Sequence, residues 1–174
     1  LFNILKRAKE LSLAGMKLEA TEALGFFLNN PISKKDLLDD DNIIQLFCAM
    51  DDADIIVAIK SWAKCSDKIL STLCQMHLHR KLYKVVLDAE NEEELLASKT
   101  SAAQKELGFS DEEMNYFVFS GTTSNSTYNA ADARINIALK DGSTRNLADM
   151  QHSLVNDKVA QTVTKRYLCY YKVG

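Results

Sequence analysis

The run Leu82-Tyr83-Lys84-Val85-Val86-Leu87 decides how this chain is read, because the period of its apolar residues changes there. The run is short, β-branched and aromatic, which predicts a strand. Upstream of it the spacing is helical throughout. Leu1, Leu5, Ala8 and Leu11 share one helical face, and Gly15 supplies a stop. Ala20, Leu24, Phe27 and Leu28 form a second stripe, broken by Asn29-Asn30-Pro31, which holds the chain's one proline. Ser33-Lys34-Lys35-Asp36 has the pattern of a helix start, and Asp39-Asp40-Asp41 precedes the apolar Ile43, Ile44, Leu46, Phe47 and Met50. Asp51-Asp52 leads into Ile55, Ile59 and Trp62, and Ser66-Asp67 into Ile69, Leu73 and Met76. Carboxylates at helix starts accept from free amides and complement the helix dipole, so these acidic clusters have a structural reason that needs no metal.

Downstream of Leu87, strands and helices alternate. Asn91 followed by Glu92, Glu93 and Glu94 begins a helix that runs to Leu107, with Gly108 as its stop. Tyr116-Phe117-Val118-Phe119 predicts a second strand, and the polar stretch from Gly121 to Asn129 a loop. Arg134 to Lys140 alternates apolar and polar residues, a third strand closed by the turn pair Asp141-Gly142. A helix is expected from about Leu147 to Val163, then a last strand over Lys165–Lys172. The order is strand, helix, strand, strand, helix, strand. It predicts an α+β chain with a helical part at 1–80 and a ferredoxin-like βαββαβ part at 81–174. Ile4, Phe26, Phe47 and Trp62 are expected to leave apolar surface for another part of the protein, and with it self-association.

The bulk numbers exclude several classes. With 174 residues, 47% hydrophobic and 26% charged, the chain is an ordinary globular one. No apolar run approaches the roughly 20 residues that span a bilayer. Leu1 to Arg7 reads as the interior of a helix, with neither a signal-peptide layout nor an N-cap, so the chain is expected to begin within a longer protein. A net charge of −3 argues against a dedicated nucleic-acid binder. Cys48, Cys65, Cys74 and Cys169 show no C-x-x-C spacing and sit in apolar stretches. They read as buried free thiols in a reducing compartment, which predicts a cytoplasmic location.

A search for catalytic chemistry finds none. His77 and His79 are two apart on a helix and point in different directions, and His152 has no ligand-type neighbour at metal spacing. No nucleophile-elbow, phosphate-loop, zincin or dinucleotide motif occurs. Ser120-Gly121-Thr122-Thr123-Ser124 is glycine-bearing and hydroxyl-rich but lacks a lysine, and Asn125-Ser126-Thr127 is a chance sequon. No catalytic residue and no metal ligand is therefore assigned. One basic group stands out. Arg80, Lys81 and Lys84 lie where the helical part meets the first strand. If the first and last strands are antiparallel neighbours, Lys172 joins them in one basic corner. Lys84 would share a strand face with Leu82 and Val86, where a buried lysine needs a carboxylate or a ligand. The corner reads either as a solvated strand end or as a pocket for a phosphate-bearing ligand.

These residues carry a resemblance. Asp51-Asp52-Ala53-Asp54-Ile55-Ile56, Ala58-Ile59-Lys60-Ser61-Trp62, Asp67 and His79-Arg80-Lys81-Leu82-Tyr83-Lys84-Val85 resemble HD-superfamily phosphohydrolases of the dNTP triphosphohydrolase (dGTPase-like) group. Leu5-Lys6-Arg7-Ala8-Lys9-Glu10-Leu11 and Tyr167-Leu168-Cys169-Tyr170-Tyr171-Lys172 fit the same group, its bacterial members especially. The family's metal set is a His, a His-Asp pair and a distant Asp. No His-Asp dipeptide occurs here, so the resemblance places this chain beyond the catalytic core. It implies a non-catalytic C-terminal regulatory and oligomerisation portion. The divalent metal belongs to an N-terminal catalytic half, which is an expected partner, and no cofactor is expected in this chain. It also implies a homo-oligomer, and a nucleotide whose phosphates meet Arg80 and Lys84 at a subunit contact. Lys81 and Lys172 are added on geometry. The alternative is a stand-alone interaction or ligand-binding module with no enzymatic parent.

Overall fold

The computed structural model describes residues 1–125, 136–146 and 163–173. Six helices fill the region before the first strand: α1 (Phe2–Leu13), α2 (Glu22–Asn29), α3 (Lys34–Asp39), α4 (Asp41–Ala49), α5 (Asp52–Trp62) and α6 (Lys68–Leu78). Their starts follow the side chains. Ser33 and Asp36 form a reciprocal capping box on α3, and Asp51 and Asp54 form another on α5. Asp40 accepts from the Asn42 N–H at 2.9 Å and Asp67 from the Leu70 N–H at 2.7 Å, opening α4 and α6. Asp36, Asp40, Asp51, Asp54 and Asp67 are thus all engaged in caps.

The core gathers Ile4 and Ala8 of α1, Leu24 and Leu28 of α2, Ile59 and Trp62 of α5, and Ile69, Leu70 and Leu73 of α6. The same apolar cluster continues through Ala103, Met114, Phe117 and Val118. Ile4 at 3% and Trp62 at 1% exposure are therefore core residues, contrary to the expectation that they face another part of the protein. Trp62 is drawn in because its indole N–H finds the Glu19 carbonyl at 2.8 Å, so the whole ring can be buried without a lost hydrogen bond. Phe26 is half-buried, and Phe47 is exposed as expected. The four thiols are free, but only Cys74 is buried, where burial pushes its pKa up to about 12. Cys48 on α4 is exposed, since none of that short helix is buried.

Beyond α6 come β1 (Lys84–Leu87), α7 (Glu92–Leu107), α8 (Asp111–Met114), β2 (Val118–Asn125), β3 (Asn136–Ala138), β4 (Thr144–Asn146) and β5 (Val163–Tyr170). The chain is α+β, with a helical N-terminal part followed by strands. β1, β5 and β2 form one antiparallel sheet in that order, so the first and last strands are neighbours as expected. The order is nevertheless not ferredoxin-like. There the first strand would be central, whereas here β5 lies between β1 and β2. The expected third strand ends at Ala138 instead of Lys140 and pairs with β4 as a separate hairpin around Asp141-Gly142. Residues 134 and 135, and the helix expected over 147–163 apart from Val163, lie outside the described residues; Val163 itself opens β5.

Of the loop expected from Gly121 to Asn129, Gly121 to Asn125 is instead the second half of β2, which pairs with β5 from Val118↔Tyr170 to Asn125↔Val163, and residues 126–129 lie outside the described residues. Gly121 makes this possible: a Cβ there would meet the Tyr167 hydroxyl at 2.6 Å. One sheet face, with Val118 and Leu168 buried, packs under α7. On the other face Val85 and Leu87 are exposed, and Tyr83 meets Phe119 edge-on at 5.4 Å. No helix among the described residues is long and apolar enough to cross a membrane.

Candidate functional site

The basic corner is built by the way α6 ends. The His79 N–H donates to the Gln75 carbonyl, Arg80 N–H to His77, and Lys81 N–H to Met76 at 2.8 Å. That is a six-to-one closure with Arg80 in the left-handed conformation at φ 55°. Glycine is the usual occupant of this position. An arginine there carries a strain of about 1–3 kcal/mol, the kind of cost that concentrates at functional positions. The turn releases the chain into β1, whose first residue, Lys84, stands directly across the ladder from Tyr170. Directly opposed residues point to the same side of a sheet. Lys172 follows two residues later, after the Tyr171 N–H has donated to the Phe117 carbonyl at 2.8 Å.

Arg80, Lys81, Lys84 and Lys172 are all exposed. None has a carboxylate within salt-bridge distance among the described residues. A Lys84 buried on an apolar strand face would need a carboxylate or a ligand. It is exposed, and Leu82 beside it is 70% exposed, so no such need exists. What remains is Arg80, Lys81 and Lys84 at the helix–strand junction, with Lys172 two residues beyond Tyr170, the residue opposite Lys84, and none of the four with an acidic partner among the described residues. Lys81 also borders a small pocket of about 70 Å³ with His77, Tyr83 and Ile4. Such a group can take phosphate oxygens through charge-assisted bonds, with Arg80 offering a planar fork and the lysines point charges.

Lys99 was missed in the sequence. On α7, its ammonium lies 4.8 Å from the centroid of Tyr170, the ring opposite Lys84. Its signal was present: it falls three residues after Leu96 and four before Ala103, on the stripe that packs inward.

Metal chemistry finds no donor set among the described residues, where no three His, Cys, Asp or Glu side chains could hold an ion. His77 and His79 are both exposed at the end of α6, and His152 lies outside the described residues. The divalent metal that the resemblance implies therefore does not fit the residues described. Ser120 to Ser124, weighed as a phosphate loop, is ladder-paired strand.

No protein-family model matches the chain. No curated protein matches it. Among solved structures it is similar to the crystal structure of a phosphohydrolase from Bacteroides thetaiotaomicron VPI-5482, with a TM-score of 0.73 and 36% sequence identity over 98% of this chain. The chain spans 42% of that protein's chain. The likeness is one of sequence as well as fold, and it relates this chain to a phosphohydrolase.

Proposed function

We propose that the chain is the non-catalytic, C-terminal regulatory and oligomerisation portion of a cytoplasmic, metal-dependent deoxynucleoside triphosphate triphosphohydrolase. Arg80, Lys84 and Lys172, with Lys81 beside them, hold the phosphates of a nucleotide at a contact between subunits. The relation to a phosphohydrolase supports the enzymatic parentage, and the chain's 42% share of that relative leaves room for a separate catalytic portion. The observation that carries the reading is the strained Arg80 beside the start of β1, with no carboxylate in salt-bridge distance among the described residues. Exposed Leu82, Val85 and Leu87 on and before that edge strand support an oligomer, since an apolar edge invites another chain.

The test is a titration of dGTP and GTP against the full-length protein and its Arg80→Ala/Lys84→Ala double variant. Charge-assisted bonds contribute about 1.5–3 kcal/mol each, so losing both weakens binding at least about a hundredfold. Equal affinity in the two proteins removes the nucleotide role.

A further inference from the structure

A second group of lysines takes no part in that corner. The link between α1 and α2 faces the end of α5 across a cleft of about 580 Å³. Lys17 comes from the link, Lys60 from the last turn of α5, and Lys64 from one turn further on. All three are exposed, and none has a carboxylate within salt-bridge distance among the described residues. The carboxylate bordering the cleft, Glu19, accepts a hydrogen bond from the Ser61 hydroxyl. The link cannot swing away freely, because the Trp62 indole N–H holds the Glu19 carbonyl at 2.8 Å. Lys60 and Lys64 stand four apart, a spacing at which like charges repel. The dipole of α5 accounts for cations at its C-terminal end, but not for Lys17 brought in from another segment.

We propose that this cleft binds an oligophosphate anion, either free or as the tail of a nucleotide. Three separate point charges around a wide cleft suit an extended polyanion better than one phosphate, for which a single arginine fork would serve.

Trp62 is the chain's one tryptophan and borders the cleft, so its emission reports on this site. Tripolyphosphate is titrated into the chain while that emission is followed, with equilibrium dialysis against the same anion in parallel. One saturable change is expected, weakened at least about tenfold in Lys60→Ala/Lys64→Ala and again by Lys17→Glu, and weakened by added salt. Lys60→Arg/Lys64→Arg retains it, and Arg80→Ala/Lys84→Ala leaves it unchanged, which separates this cleft from the nucleotide corner. The lysines are exposed, so the variants keep their far-ultraviolet circular dichroism. In the Arg80→Ala/Lys84→Ala variant, displacement of tripolyphosphate by dGTP identifies nucleotide tails as the ligand, and its absence the free anion; both uphold the site. Equal affinity in wild type and Lys60→Ala/Lys64→Ala, no binding by dialysis to wild type, or loss only in the Arg80→Ala/Lys84→Ala variant would overturn it.

Discussion

The Lys81 N–H reaches back to the Met76 carbonyl at 2.8 Å, and that closure forces Arg80 between them into the left-handed region at φ 55°. The strain belongs to the backbone, while any ligand contact belongs to the side chain, so substitution separates the two. Arg80→Gly relieves the strain, and its stability in urea should equal or exceed wild type by about 1 kcal/mol. Its nucleotide affinity should fall by about tenfold or more. A glycine variant that is clearly less stable would show the arginine side chain to be structural.

Arg7 forks onto Asp67, with Nε to Oδ1 at 3.2 Å and Nη2 to Oδ2 at 2.6 Å, while Asp67 also caps α6. Burial works to raise the Asp67 pKa, but the Arg7 fork and the Leu70 and Ile69 amides outweigh it and hold the carboxyl below its usual value. A depressed folded pKa contributes stability that is present above the unfolded value of about 3.9 and is lost as pH falls through the folded one. Asp67→Ala removes both cap and ion pair, and should cost about 2–3 kcal/mol at neutral pH. The gap between the two proteins in urea unfolding should then narrow as pH is lowered below about 4. A gap that stays constant into that range would disprove the linkage.

Helix starts were legible in the sequence because a cap is a local event: Ser33, Asp51 and Asp67 announce themselves within three residues. Sheet order was not, because nothing near β5 records that it will lie between β1 and β2. The continuation of β2 beyond Phe119 was hidden for the same reason. Gly121 and its hydroxyl-bearing neighbours look like a loop until Tyr167, forty-six positions away, is seen filling the missing side chain's space. At the candidate site, Arg80 and Lys84 could be found from their place at the change of period. Lys99 could be placed on the inward stripe of α7 but not beside Lys84, since that relation runs through Tyr170 on a third element.

The Gly121–Tyr167 pairing makes a stability prediction of its own. A Cβ at 121 would stand 2.6 Å from the Tyr167 hydroxyl and 2.8 Å from the ring carbon that bears it. Gly121→Ala should therefore destabilise the sheet by about 1–3 kcal/mol, the range of an overpacked contact. Tyr167→Ala in the same chain should recover part of that loss, giving a favourable coupling of about 1 kcal/mol in a double-mutant cycle. Simple additivity of the two changes would mean that the ring moves aside at no cost.

Lys99 extends the basic corner from a second direction. Its ammonium lies over Tyr170, the ring opposite Lys84, so α7 carries a cation to the strand pair that also positions Lys84. A cation over a partly exposed tyrosine stabilises by only about 0.5–1 kcal/mol, so Lys99→Met, which keeps the apolar stem, should change stability by no more than that. If Lys99 also faces the phosphates, the same variant should weaken nucleotide binding by about tenfold, and the dependence of affinity on salt should become shallower. Adding Lys99→Met to Arg80→Ala/Lys84→Ala should then do little more, because the ligand has already been lost. Unchanged affinity and salt dependence in Lys99→Met would confine this lysine to its ring contact and leave the phosphate role to the α6–β1 junction.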